Sequence, residues 1–228
     1  MHTNPSHPSR RPMRSASPRR WARFERNAIG LAAMCAGLAG CVSLGAEAPE
    51  SLLTLTPTAS APVGMSAASG GTAQAGAIAV LTPETPAKLD VLRVPVNVSP
   101  TKIAYVQEAI WVEKPARLFR RLLGETLRAR LASDDGTAPL VLDNDDTPLL
   151  ADEFIRGTLS ELSYDAPTSS VVVRFDAVRS DAQGTATTRR FEAREEGVLA
   201  EPGAISAAIN RAANSVAGDV ADWVVAGR

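Results

Sequence analysis

Residues 28–40 carry no charge and are almost all apolar or small, and that stretch decides where folding can begin. At thirteen residues, Ala28 to Gly40 is shorter than the roughly 20 that a bilayer-spanning helix needs. Upstream lie seven arginines (Arg10, Arg11, Arg14, Arg19, Arg20, Arg23, Arg26) and a single acid, Glu25. A basic segment followed by a short apolar one is the pattern of an export signal, so residues 1–40 are expected to be a signal peptide outside the fold. The Arg19-Arg20 pair raises the twin-arginine route, which the following Trp21, Ala22 and Arg23 fit poorly.

The apolar stretch closes on Leu38-Ala39-Gly40-Cys41, which looks like the lipobox of bacterial lipoproteins. Small residues at 39 and 40 let the backbone lie extended in a peptidase, so cleavage is expected between Gly40 and Cys41. The Cys41 thiol is a strong nucleophile that can take a diacylglyceryl group as a thioether. Cys35 follows Ala32-Ala33-Met34, with no Leu three places back and a bulky Met before it. A lipid on Cys41, with acyl chains such as palmitate, is then the expected attachment to a membrane. Two or more chains are needed for a firm anchor.

Removing residues 1–40 changes the charge. The whole chain has 24 basic and 25 acidic residues; the signal takes seven and one, leaving 17 and 24, a net charge of −7. That balance argues against nucleic acid as a partner and against electrostatic adhesion to anionic lipid. His2, His7 and Cys35 leave with the signal, and Cys41 is consumed by lipid. The remaining chain has no histidine, no thiol and no intramolecular disulfide. Nucleophile–histidine catalysis and the commonest zinc ligand go with them.

Other motifs are weak. Ser69-Gly70-Gly71 lacks the Gly-Lys-Ser/Thr end of a phosphate loop. Asp143-Asn144-Asp145-Asp146 places Asp143 and Asp145 at calcium-ligand positions one and three, but positions six and twelve are Pro148 and Phe154, not Gly and Glu. A solvated acidic turn is the better reading. No carboxylate pair stands out, so no catalytic residue, metal or cofactor is expected beyond the lipid on Cys41.

The 188 residues from Cys41 suit one domain plus a tether. Residues 41–76 read as the lipidated tether, with a brief strand at 52–56 and an Ala/Ser/Gly-rich excursion at 59–76. The domain proper is expected over 77–228. Strands are expected at 77–81, 89–98, 103–112, 139–142, 154–164, 171–179 and 187–195. Val171, Val173, Phe175 and Ala177 share one face and Arg174 and Asp176 the other, the period of a sheet wet on one side. After Pro115, Phe119, Leu122, Leu123, Leu127 and Leu131 recur at helical spacing, and residues 133–136 would stop that helix. A closing helix from about Gly203 carries Ile205, Ile209, Ala212, Val216, Val220 and Trp223 as its apolar stripe. Ala208, Ala213, Ala217 and Gly218 let it sit close on its neighbours. The fold class is α+β: a two-layer domain with an antiparallel-rich sheet and two helices packed on one face.

Tyr105, Trp111, Tyr164 and Trp223 are large amphipathic aromatics, which serve more often in a core than in a ligand pocket. Tyr105 and Trp111 are the candidate partner or lipid contacts.

The order of features resembles a known family. Leu53-Thr54-Leu55 lies soon after the lipid cysteine, followed by Leu89-Asp90, Arg93-Val94 and Ile103-Ala104-Tyr105, with Trp111 six residues on. Pro115 opens the Leu-rich helix, Phe154-Ile155-Arg156-Gly157 starts the long hairpin, and Asp219 to Val224 ends the last helix. Together these are similar to the auxiliary lipoprotein component of ABC-type transport systems, the PqiC-like family. The family's usual aromatic pair is replaced here by Leu52-Leu53, and the 59–76 excursion is long. The resemblance implies a non-enzymatic periplasmic lipoprotein of the outer membrane. Its implied partners are a permease, an ATPase and a mammalian-cell-entry-type substrate-binding subunit that together move lipid, with a second copy of the chain as a further candidate. Val42, not Asp, after the cysteine favours outer-membrane sorting under the enteric rule. The alternative is a structural envelope lipoprotein that scaffolds without transport.

Overall fold

The computed structural model describes residues 51–64, 66–67, 76–132, 137–144 and 151–228. Nine strands and two helices follow in chain order: β1 (Ser66–Ala67), β2 (Ile78–Val80), β3 (Arg93–Ser99), β4 (Lys102–Ile110), α1 (Pro115–Leu131), β5 (Thr137–Ala138), β6 (Val141–Leu142), β7 (Glu153–Asp165), β8 (Ser170–Asp181), β9 (Ala186–Glu195) and α2 (Pro202–Ala226). β1 and β5 form a separate two-stranded parallel ladder. The other seven strands make one sheet.

β7 is the axis of that sheet. Along one edge it pairs antiparallel with β8, which pairs antiparallel with β9. Its other edge is shared by two parallel strands in series. β2 lies beside Glu153–Ile155 and β3 beside Tyr164–Asp165, with a single bridge from Glu84 to Thr158 between them. β6 flanks β2 in parallel and β4 flanks β3 antiparallel. The sheet is a mixed one, with three parallel and three antiparallel pairings, the antiparallel ladders being the longer. Alternation shows which face of a strand is buried, but partner direction depends on how the chain returns, and here it returns twice to the same edge of β7. The all-buried Ile78-Ala79-Val80 run fits such an interior position, because a strand covered on both faces loses its alternation.

Val171, Val173, Phe175 and Ala177 of β8 are at most 1 % exposed and face the helices. The opposite face is laced by Arg174–Glu192 and Arg190–Asp176 pairs. α1 starts with Pro115 in its first turn, where a missing N–H costs nothing. It buries Leu118, Phe119, Leu122, Leu123 and Leu127, and Phe119 meets Phe175 at a ring separation of 5.1 Å. α2 buries Ala208, Ala212, Ala213, Ala217 and Ala221 beside Ile205, Ile209, Val216, Val220 and Val224, so its small residues allow the close seating expected of them. Trp223, at the end of the stripe, is only partly buried and rests its ring 5.6 Å from that of Phe191.

Two glycines are sterically required. At Gly157, φ is +154° and a Cβ would lie 2.0 Å from the carbonyl oxygen of Asp176 on β8. At Gly124, in the middle of α1, a Cβ would lie 2.7 Å from the Asp143 side chain, so its absence lets the end of β6 close on the helix. Arg120 of α1 is buried and donates to Thr82 Oγ1 at 2.8 Å.

Candidate docking surfaces

The first surface is built by the segment that leads into the domain. Leu53 forms a parallel bridge with Trp111; its N–H donates to Ile110 O at 2.7 Å, and its carbonyl accepts from Val112 N–H at 2.9 Å. Two residues on, Leu55 is buried. The segment then crosses α2, where Asn210 Oδ1 accepts from Thr56 N–H and Asn214 Oδ1 from Thr58 N–H, both at 2.8 Å. Asn214 Nδ2 donates back to Thr56 O at 2.9 Å. Further along, Ala61 N–H donates to Glu125 Oε1 on α1 at 3.0 Å. The side chains at 210 and 214, one helical turn apart, thus stand in for the edge of a strand. Sequence reasoning missed this clamp. Its signal was a pair of asparagines at i and i+4 inside a helix, where asparagine is a poor former.

Beside the strap, Arg128 links Glu125 at 3.2 Å and Asp143 at 2.5 Å. Burial opposes the charge of this guanidinium, but hydrogen bonding and the field of Asp143, then of Glu125, hold its pKa above the ordinary value. Asp143 of the acidic run is thus an ion-pair partner; Asp145 and Asp146 lie outside the described residues.

The second surface is the β3–β4 hairpin, joined over Pro100 and Thr101. It extends past the end of β7, since Asn97 already stands opposite Asp165. Val98 is 45 % and Ile103 52 % exposed, and Tyr105 is partly exposed. β4 bulges widely between the Pro95–Tyr105 and Arg93–Ile110 pairs, with Glu108 at φ 60°. On the helix side, a groove of about 450 Å³ is lined by Val96, Val106, Tyr164, Ala200, Pro202 and Ile205. Tyr164 itself is buried and donates its hydroxyl to Val198 O at 3.1 Å. On the opposite side Lys88 pairs with Glu161 at 2.7 Å, and Asn97 Nδ2 donates to Ser163 Oγ at 3.0 Å. These groups satisfy one another and form a closed network under the hairpin.

The candidate contacts therefore separate. Tyr105 sits on the projecting hairpin, open to a partner. Trp111 is 2 % exposed, a core residue beneath Leu53, and its Nε1 has no hydrogen-bond partner among the described residues. Of the two candidate contacts, Trp111 is closed to a surface partner because its side chain lies in the core cluster, with Leu53 and Leu92 flanking its backbone. Gly40 and Cys41 lie outside the described residues. Among the described residues, no helix is long and apolar enough to cross a membrane.

The described residues thus form an α+β domain with a strapped leading segment and a projecting hairpin that carries exposed apolar side chains. The chain belongs to the family of ABC-type transport auxiliary lipoprotein components, whose model matches residues 54–221. The fold is also that of protein XCC0632 from Xanthomonas campestris, of the DUF330 family. The two are 14 % identical with a TM-score of 0.57, over 76 % of this chain and 94 % of that one. A second crystal structure, of an uncharacterized protein, is 14 % identical with a TM-score of 0.55, over 66 % of this chain and 93 % of that one. No curated protein matches the sequence.

Proposed function

We propose that the protein is a periplasmic lipoprotein, anchored in the outer membrane through lipid on Cys41. In this reading it serves a mammalian-cell-entry-type lipid transport system as a docking or receiving component without catalysis of its own. The observation that carries the reading is the order of parts: a signal ending Leu38-Ala39-Gly40-Cys41 stands directly ahead of the family domain that begins at residue 54. The hairpin with Ile103 and Tyr105 is the surface offered to the transporter's periplasmic subunit, and the helix–sheet core is scaffold. Cofactors and metals have no part in this role; attachment comes from the acyl chains.

Two measurements test it together. Cys41→Ala should leave an uncleaved, unlipidated precursor, whereas Cys35→Ala should process normally; a mature, membrane-bound Cys41→Ala protein refutes the anchor. Crosslinking in intact cells should capture the substrate-binding and permease subunits, and Tyr105→Ala with Ile103→Ser should abolish that capture. Capture of peptidoglycan-bound material with no transporter subunit would establish the scaffold role instead.

A further inference from the structure

We infer that the sheet edge where the tether enters, formed by Leu52, Leu92 and Val112, rests on the surface of the bilayer that holds the lipid anchor; this rests on the lipidation of Cys41 proposed above. Three backbone strands meet at this edge. Leu53 lies outermost, the 110–112 segment next to it, and Leu92 beyond, joined by Val112 N–H to Leu53 O at 2.9 Å and Trp111 N–H to Leu92 O at 3.0 Å. Three of the exposed large apolar residues among the described ones lie on these adjacent backbones, Leu52 at 50 % and Val112 at 53 % on one face of the edge and Leu92 at 44 % on the other. Residues so exposed are unremarkable singly, but a group of them marks a surface that meets something apolar.

The tether says what that something is. Eleven peptide steps separate Cys41 from Leu52, a span of at most about 40 Å fully extended and about 20 Å root-mean-square if flexible. From Leu53 onward the strap is pinned to Ile110, Asn210, Asn214 and Glu125, so the leash begins at Leu52 itself. Whichever face carries Leu52 is the face that the anchor draws toward the lipid. The attraction is apolar and not electrostatic: the chain beyond residue 40 carries −7, and Lys114 near this edge is neutralised by Asp90 at 2.7 Å. Contact is then expected with the headgroup and upper acyl layer, irrespective of anionic lipid content.

The test uses the lipidated mature protein in vesicles of phosphatidylethanolamine and phosphatidylglycerol. Nitroxide labels are placed on Val112→Cys, Leu52→Cys and Gln183→Cys, the last in the β8–β9 turn. Because apolar groups at such an interface sit about 5–10 Å into the headgroup boundary, labels at 52 and 112 should show an oxygen-to-polar-chelate accessibility ratio at least about twofold above that at 183. The ratio should not change when phosphatidylglycerol is omitted. Equal ratios at all three positions, in protein whose intact mass includes the acyl chains, overturn the inference while leaving the anchor standing. Shielding of 52 and 112 from both oxygen and chelate would mean a protein covers this edge, and also overturns it. Protein without acyl mass that fails to float with vesicles overturns the anchor and the inference together.

Discussion

The β7–β8–β9 meander and the β3–β4 hairpin belong to one sheet, yet they use apolar residues in opposite ways. On β8, Val171, Val173, Phe175 and Ala177 are buried beneath α1 and α2, while Arg174 and Asp176 take the other face. On the hairpin, Val98 and Ile103 are about half exposed on two different faces, with little above or below them. Burial of a full apolar side chain contributes about 1.5–3 kcal/mol, so the meander holds the domain together and the tip of the hairpin hardly does. Apolar residues kept at a surface without a stabilising role are available for contact. That contrast is why the hairpin, and not the better-packed half of the sheet, is the surface we propose for partner docking.

Gly157→Ala tests the rigid half most severely. Its Cβ would lie 2.0 Å from Asp176 O, a backbone clash that no side-chain rotation relieves, so a loss above about 3 kcal/mol is expected. For a domain of this size that lowers Tm by at least about 6 °C. A variant melting within 2 °C of the parent would show that the β7–β8 ladder can yield, and would erase the distinction between the two halves.

An intermediate effect is expected for Trp223→Ala. The ring is partly buried against Phe191, so the loss should be about 2 kcal/mol, below the 3–5 kcal/mol of a fully buried aromatic. The expected fall in Tm is about 4–8 °C. Ile103→Ser is its counterpart on the hairpin and should stay within about 0.5 kcal/mol in the same melting experiment. If Ile103→Ser destabilised as much as Trp223→Ala, the hairpin would be a structural element and its docking role would lose its basis.

The smallest effect concerns the wet face of the meander. The Arg190 hydrogen bond, opposed by burial and aided by Ser160 and the fields of Arg190 and Arg174, holds the Asp176 carboxyl below its ordinary value of 3.8. A depressed carboxylate contributes stability above its unfolded pKa and loses it as pH falls through the lower folded value. Asp176→Asn should therefore cost only a few tenths of a kcal/mol at pH 7. The difference from the parent should shrink as pH falls well below the ordinary 3.8, and it should also shrink in high salt. A difference that persisted in acid would point to packing instead of charge.

Much of this architecture is legible in the chain itself. Both helices begin at prolines, their apolar stripes recur every three or four residues, and the meander's alternation marks which face is wet. The Phe154-Ile155-Arg156-Gly157 run is recognisable as a motif, and the structure supplies the reason for its glycine. Other features are invisible at that level because they depend on residues far apart. The Asn210–Asn214 clamp needs Thr56 and Thr58, more than 150 residues away, and without them the asparagines are two unremarkable polar positions. Trp111 is by type alone either a core residue or a contact, and only the packing places it in the core cluster.

By itself the sequence determined where both described helices and the long strands of the meander lie and which side of each is apolar, because periodicity is a local property. Only the tertiary structure decided that β2 and β3 share one edge of β7 in parallel, that the leading segment is strapped across both helices, and that Leu52, Leu92 and Val112 meet at a single edge. Those outcomes depend on partners distant in the chain, and the backbone groups of a strand accept a parallel or an antiparallel neighbour with little difference in energy.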